Sequence, residues 1–200
     1  MLRVGLTGGL ATGKSFVGRL LAALGCHLLQ ADQIGHELLQ RDGDAFTDVV
    51  REFGGSILTP DGSIDRRRLG AEVFGNPERL ATLNSLIHPH VVKREEEWLR
   101  EVESADPQGI AVVEAAILVE TGSFRRFQKL ILTVCSEEEQ IRRAMDRDHL
   151  TEDEVRDRLK RQMPLADKRK YADYIIDTSG AKSRTEAQVN ELHKRLTSAA

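Results

Sequence analysis

The chain has 200 residues, 40% of them hydrophobic and 30% charged, with a formal net charge of -3. That length suits one compact domain carrying smaller insertions rather than two independent domains, and the balance excludes a disordered chain. No apolar run approaches the roughly 18 residues of a membrane span, and a slightly acidic chain lacks the basic surface of broad nucleic-acid binding, so neither partner is expected. The opening run Met1 to Leu6 is too short for a signal-peptide core, which makes the cytoplasm the expected compartment. Cys26 and Cys135 lie beside apolar residues without C-x-x-C spacing and are expected to be buried thiols. His88 and His90 are expected to point to opposite sides of an extended segment, so no metal cluster is expected there.

In chain order, residues 2–7 read as a strand, residues 14–24 switch to helical periodicity through Phe16, Val17, Leu20, Leu21 and Leu24, and Gly25 stops the helix. Cys26 to Leu29 is a second apolar run ending at Gln30-Ala31-Asp32, which completes a unit of βαβ size and predicts parallel pairing. From Ile34 to about Arg100 the pattern is helical, broken at Phe53-Gly54-Gly55, Pro60-Asp61-Gly62 and His88-Pro89. Such a block between strands predicts a helical insertion over the carboxyl edge of the sheet. Ile110 to Val113, closed by Glu114, and Leu130 to Val134 read as strands buried on both faces. Ser136 and Thr151 each precede a glutamate by three positions, the spacing of a capping box, so helices are expected to start there. Tyr174 to Ile176 predicts a fifth strand, and Arg184 to Leu196 a last helix covering the sheet.

Gly8-Gly9-Leu10-Ala11-Thr12-Gly13-Lys14-Ser15 satisfies G-x-x-x-x-G-K-[ST] at every specified position, directly after a strand and before an amphipathic helix. The glycines let successive N–H groups turn inward as a nest for phosphates, and the helix adds its positive end. Lys14 supplies a mobile charge for the transferred phosphoryl group, and Ser15 a hydroxyl for Mg²⁺. Nucleotide binding follows, through Gly8, Gly9, Ala11, Thr12, Gly13, Lys14, Ser15 and the adjoining Phe16. No Asn-Lys-x-Asp or Thr-Lys-x-Asp segment is present to read guanine, so a GTPase is disfavoured.

Asp32, at the end of the second strand, is placed to accept the proton of an attacking hydroxyl or to orient Mg²⁺ through water; the alternative is a helix N-cap. Glu114 ends the third strand as either a metal-orienting residue acting through water or a surface carboxylate. Arg143 and Arg147, four apart on one helical face, with Arg142, Arg158, Arg161 and Lys168, read as a solvated charged face or as the movable cations of a lid.

With these residues assembled, the chain resembles the dephospho-coenzyme A kinase family nearly end to end. The resemblance rests on Leu6 to Gly9 leading into Ala11 to Ser15, on Ala31-Asp32 with Ile34 and His36, on Ile87-His88-Pro89, and on Ile117 to Glu120. Arg143 to Asp148, Gln162 with Pro164 and Lys168, and Ala172 to Asp177 complete it. It implies an α/β P-loop kinase with a five-stranded parallel sheet in the order 2-3-1-4-5. Residues 1–33, 108–136 and 166–200 would form the core, 34–107 the helical acceptor region and 137–165 the lid. It also implies transfer of phosphate from ATP, with Mg²⁺, to the ribose 3′-hydroxyl of dephospho-coenzyme A, the last step of coenzyme A synthesis. Asp32 becomes the general base, Lys14, Arg143 and Arg147 its catalytic companions, and His36, His88, Pro89 and Gln162 join Asp32 at the acceptor. For His88-Pro89 a plain helix break remains the alternative, and for His36 a packing role. The sequence departs from the family pattern at Gln30 for an acidic residue, Ala116 for proline, Val119 for phenylalanine and Thr178 for asparagine. A kinase of the same fold for a nucleoside monophosphate or small hydroxy acid is the nearest rival, and a nucleotide-dependent switch the rival of another class.

Overall fold

The computed structural model describes residues 1–198, apart from the side chain of Phe74. The chain forms two compact units, one of Met1–Gln30 with Leu99–Ala200, the other of Ala31–Trp98.

The first unit is built on five parallel strands: β1 (Leu2–Gly8), β2 (His27–Gln30), β3 (Ile110–Glu114), β4 (Lys129–Val134) and β5 (Tyr174–Asp177). Their order is β2-β3-β1-β4-β5, as the family resemblance implies. β1 lies at the centre, pairing Leu6 with Glu114 on one side and Gly8 with Thr133 on the other. All of β3 is buried, and all of β4 beyond Lys129, which is why both read as unbroken apolar runs rather than alternating ones.

Helix α1 (Lys14–Ala23) follows β1, and α9 (Lys182–Thr197) ends the described fold. Leu2, Val4 and Leu6, alternate residues of β1, share one core with Val17 and Leu21 of α1 and Val189, Leu192 and Leu196 of α9. Gly25 takes φ 97, so the chain leaves α1 through a left-handed residue and turns directly into β2. Helices α6 (Glu137–Asp148) and α7 (Glu152–Lys160) form a hairpin, with a short α8 (Leu165–Lys168) before β5. Thr151 makes the full capping box with Glu154. Ser136 caps α6 by accepting the N–H of Glu139, but the Glu139 carboxylate is drawn away by Arg142 and Arg143.

The second unit contains α2 (Ala31–Leu38), α3 (Phe46–Phe53), α4 (Arg66–Phe74) and the greater part of α5 (Pro77–Ala105), which continues into the first unit from Leu99. Asn76 accepts the N–H groups of Glu78 and Arg79, with Pro77 at the first helical position. Pro60-Asp61-Gly62 forms the expected turn, closed by an antiparallel bridge between Leu58 and Ile64.

The expected break at His88-Pro89 is corrected: α5 runs through Pro89. A proline inside a helix costs about 3 kcal/mol. Burial of Leu83, Leu99 and Val102 along the same helix outweighs that local penalty. His88 and His90 therefore sit on a helix rather than in an extended segment. Cys26 is buried as expected, whereas Cys135 is only half-buried. Among the described residues, no helix is long and apolar enough to cross a membrane.

Two tests follow from the packing. Leu21→Ala, at a fully buried site facing α9, is expected to cost about 2 to 5 kcal/mol, read as a lower urea midpoint with unchanged slope. Burial pushes the Cys26 thiol up to about 11, so its alkylation is expected to stay slow at pH 8 in the native protein and become fast in denaturant. Equal rates in both conditions would contradict its burial.

Candidate active site

The segment between β1 and α1 has the backbone of a phosphate cradle. Ala11 and Gly13 both take left-handed conformations, with φ 55 and φ 81. For alanine this costs about 1 to 2 kcal/mol, strain held at a turning point of the loop. Among the described residues, no side chain caps the start of α1 and no acid lies in its first turn.

The outer side of the loop is tied down by protein groups. Thr12 Oγ1 donates to Gly9 O at 2.9 Å and shares a hydrogen bond of 2.8 Å with Thr133 Oγ1, both residues being fully buried. Gly8 lies so close to this pair that a Cβ would stand 2.2 Å from Thr133 Oγ1 and 2.4 Å from Thr12 Oγ1. Gly8 is thus required for close approach, in contrast to Gly13, which is required for its φ. Leu10 N–H donates to Gln162 Oε1 at 2.8 Å, and Lys14 Nζ to Gly9 O at 3.2 Å.

At the end of β3, Glu114 is buried and receives a donor on each oxygen: Ser15 Oγ at 2.6 Å on Oε1 and Gln30 Nε2 at 3.0 Å on Oε2. Of the two readings of Glu114, the surface carboxylate is therefore corrected. A Cβ at Gly18 would sit 3.1 Å from Glu114 Oε2, so a glycine in α1 admits the carboxylate to this position.

The cations on α6 and beyond are held rather than loose. Arg143 donates to Thr178 Oγ1 at 3.1 Å, to Thr178 O at 2.6 Å and to Glu139 Oε1 at 3.0 Å. Thr178, where the family pattern has asparagine, is buried and donates onward to Thr12 O at 2.9 Å. Arg147 grips Asp148 with two bonds of 2.7 and 2.9 Å, which holds the Asp148 carboxyl below the usual aspartate range. Lys182 Nζ lies 5.8 Å from the centre of the Phe16 ring.

Lys168 corrects the sequence reading. Expected as a movable cation, it is fully buried, with its ammonium on Gly8 O, Ala116 O and Glu120. Nothing in the spacing of 161–168 separates a buried lysine from a solvated one, because its partners lie far away in sequence. Gln162, expected at the acceptor, has its side-chain oxygen on the loop amide of Leu10.

The remaining acceptor candidates belong to the second unit. Asp32 stands in the first turn of α2, because β2 ends at Gln30 and the helix starts at Ala31 without a linker. His36 follows one turn later. Arg66 Nη2 donates to His36 Nε2 at 2.5 Å. Burial lowers the His36 pKa from its ordinary 6.5, Arg66 lowers it further, and Asp32 opposes them. His88 and Pro89 lie within α5.

A central parallel strand leading into a phosphate loop, with a strand-end carboxylate on the loop serine and a helical hairpin after β4, defines a P-loop kinase. The family model for dephospho-CoA kinase matches residues 2–184. The dephospho-CoA kinase of Carboxydothermus hydrogenoformans is 40% identical over 186 residues, which is 93% of this chain and 90% of the relative. Among solved structures, TT1252 from Thermus thermophilus superimposes with a TM-score of 0.83 at 30% identity, over 98% of this chain and 97% of its own. The dephospho-CoA kinase from Campylobacter jejuni gives 0.72 at 24% identity, over 98% of each chain, and so adds a likeness of fold. The chain belongs to the dephospho-CoA kinase family.

Gly8→Ala is expected to cost about 1 to 3 kcal/mol through overpacking against Thr12 and Thr133, measured by denaturant titration. For His36 the folded pKa lies below the unfolded one, so the unfolded chain binds more protons between the two values. Its contribution to stability is therefore present above pH 6.5 and declines as pH falls toward the lowered folded value. Arg66→Ala is expected to move the His36 NMR titration upward, and an unmoved titration would contradict the role of Arg66.

Proposed function

We propose that the chain carries out its family's reaction through the Gly8–Ser15 loop, passing the terminal phosphoryl group of ATP to the ribose 3′-hydroxyl of dephospho-coenzyme A. The observation that carries the proposal is the uncapped start of α1 behind a loop with left-handed Ala11 and Gly13. That arrangement leaves a positive helix end and inward amides for a triphosphate.

In this reading Gly8, Gly9, Ala11, Thr12, Gly13, Lys14 and Ser15 hold the phosphates, and Phe16 with Lys182 lies beside the nucleotide. The 3′-oxygen attacks the terminal phosphorus, the bond from phosphorus to the bridging oxygen of ADP breaks, and the hydroxyl proton passes to the Asp32 carboxylate. Lys14 balances charge as it moves from the attacking side to the leaving side. Support for Asp32 comes from the chain path: it lies two residues beyond Gln30, whose amide holds Glu114.

Ser15 and Glu114 together offer one hydroxyl and one carboxylate, hard oxygen donors joined at 2.6 Å. Such a pair fits Mg²⁺, which takes few protein ligands and completes its shell with phosphate oxygens and water. Bound there, it supplies neutralisation of the phosphate charge. Asp32 is its alternative partner through water.

We assign residues 34–107 to the acceptor, with His36, His88 and Pro89 as candidate contacts, and 137–165 to the lid, with Arg143 and Arg147 as its cations. Gln162 we place on the outer side of the loop rather than on the acceptor. ATP and dephospho-coenzyme A are the expected ligands, nucleic acid and membrane are not, and the cytoplasm is the proposed compartment.

With ATP and Mg²⁺, dephospho-coenzyme A is expected to yield ADP and a 3′-phosphorylated product of the mass of coenzyme A, while nucleoside monophosphates and small hydroxy acids stay unmodified. Asp32→Asn is expected to lower turnover at least about 10²-fold with ATP binding retained. Undiminished turnover in that variant would remove Asp32 from the role of base. Lys14→Ala is expected to lower kcat strongly, and full activity would contradict its place on the phosphates.

A further inference from the structure

We propose that Lys168, held by Glu120, is a positioning residue for phosphoryl transfer: it sets the shape of the phosphate loop from the outside without touching the substrates. The inference rests on the reading of Gly8–Ser15 as the nucleotide cradle.

Lysine is rarely fully buried unless paired, and Lys168 is fully buried. An ammonium has three donors and no acceptor, and all three are placed here: on Ala116 O at 2.9 Å, on Glu120 Oε1 at 2.8 Å and on Gly8 O at 3.4 Å. Gly8 ends β1 and opens the loop, while Ala116 leaves β3 and also receives Thr7 Oγ1 at 3.2 Å. One side chain thus ties the exits of two neighbouring strands beside the loop.

Glu120 extends the hold. The same Oε1 that takes the ammonium receives the N–H of Met163 at 3.2 Å, and the preceding residue, Gln162, receives the N–H of Leu10. Residues 162–168 therefore grip the loop at Gly8 and at Leu10, on either side of Gly9. The Gly9 carbonyl in turn accepts from Lys14 Nζ and Thr12 Oγ1. The orientation of that peptide and the reach of Lys14 both depend on the two fixed points.

Burying a lysine against a carboxylate that solvent still reaches is a poor route to stability, since an apolar residue of similar volume usually serves as well. What an apolar replacement lacks is a donor aimed at Gly8 O and Ala116 O together. Displacements of about 1 Å at a reacting centre cost up to about 10²-fold in rate, so a rigid tie behind the loop has a catalytic consequence.

The test separates stability from turnover using Lys168→Met, Glu120→Gln, the two combined, and Gln162→Ala. The exposed Lys170→Met serves as control. Measured for each are Tm, ATP affinity by calorimetry, kcat and the KM for dephospho-coenzyme A. Lys168→Met leaves Gly8 O and Ala116 O without this donor and Glu120 without its cation, and is expected to lower Tm and to reduce kcat at least about tenfold, with acceptor KM within about twofold. The combined variant also removes the unpaired charge of Glu120, whose replacement keeps a side-chain oxygen for Met163 N–H, so Tm is expected no lower than in Lys168→Met and kcat to stay at least about tenfold down. Gln162→Ala is expected to reduce kcat with Tm lowered less than in Lys168→Met. Recovery of kcat together with Tm in the combined variant would overturn the inference, as would wild-type turnover in Gln162→Ala. A wild-type chain that binds no ATP would overturn the cradle reading and this inference with it; normal ATP binding and turnover in every variant would overturn the inference alone.

Discussion

Everything in the first unit is arranged around one constraint: a loop that turns its amides inward must have its outward polar groups satisfied by protein. Gly9 O is met by Thr12 and Lys14, Thr12 O by Thr178, Gly8 O by Lys168 and Leu10 N–H by Gln162. Each partner comes from the loop itself or from the segment that returns after α7. Buried backbone groups without partners cost about 1 to 3 kcal/mol each, so the backing lets the loop hold its strained residues. The inner face is then left to a ligand of opposite charge.

The departures from the family pattern take on meaning within this arrangement. Gln30 places a neutral amide, rather than a second carboxylate, against Glu114, and donates to it. Two carboxylates at that distance would repel and force one to hold a proton. Ala116 acts through its carbonyl, which takes Lys168 and Thr7, so the loss of a proline side chain leaves those bonds intact. Thr178 keeps a short side chain that both donates to the loop and accepts from Arg143, joining α6 to the phosphate loop through one buried hydroxyl.

The fold was legible wherever local pattern and burial coincide. β3 and β4 are buried apolar runs, the loop motif carries its own strand and helix, and Ser136 and Thr151 start the helices they announce. Misreadings arose where a local rule met a longer-range term. Pro89 reads as a break, but the burial along α5 overrides one missing hydrogen bond. Lys168 reads as a solvated or movable cation because its partners, at Gly8, Ala116 and Glu120, are separated from it by 160, 52 and 48 positions. Glu114 left two readings open, since only the pairing of β3 beside β1 brings it to Ser15.

The most direct measurement of the central claim is a titration of ¹⁵N-labelled protein with a non-hydrolysable ATP analogue and Mg²⁺, following the backbone amides. The largest shifts, downfield in the proton dimension, are expected at residues 11–15 as their N–H groups take up phosphate oxygens. Still resonances at those five positions, with the perturbation centred on another part of the chain, would contradict it.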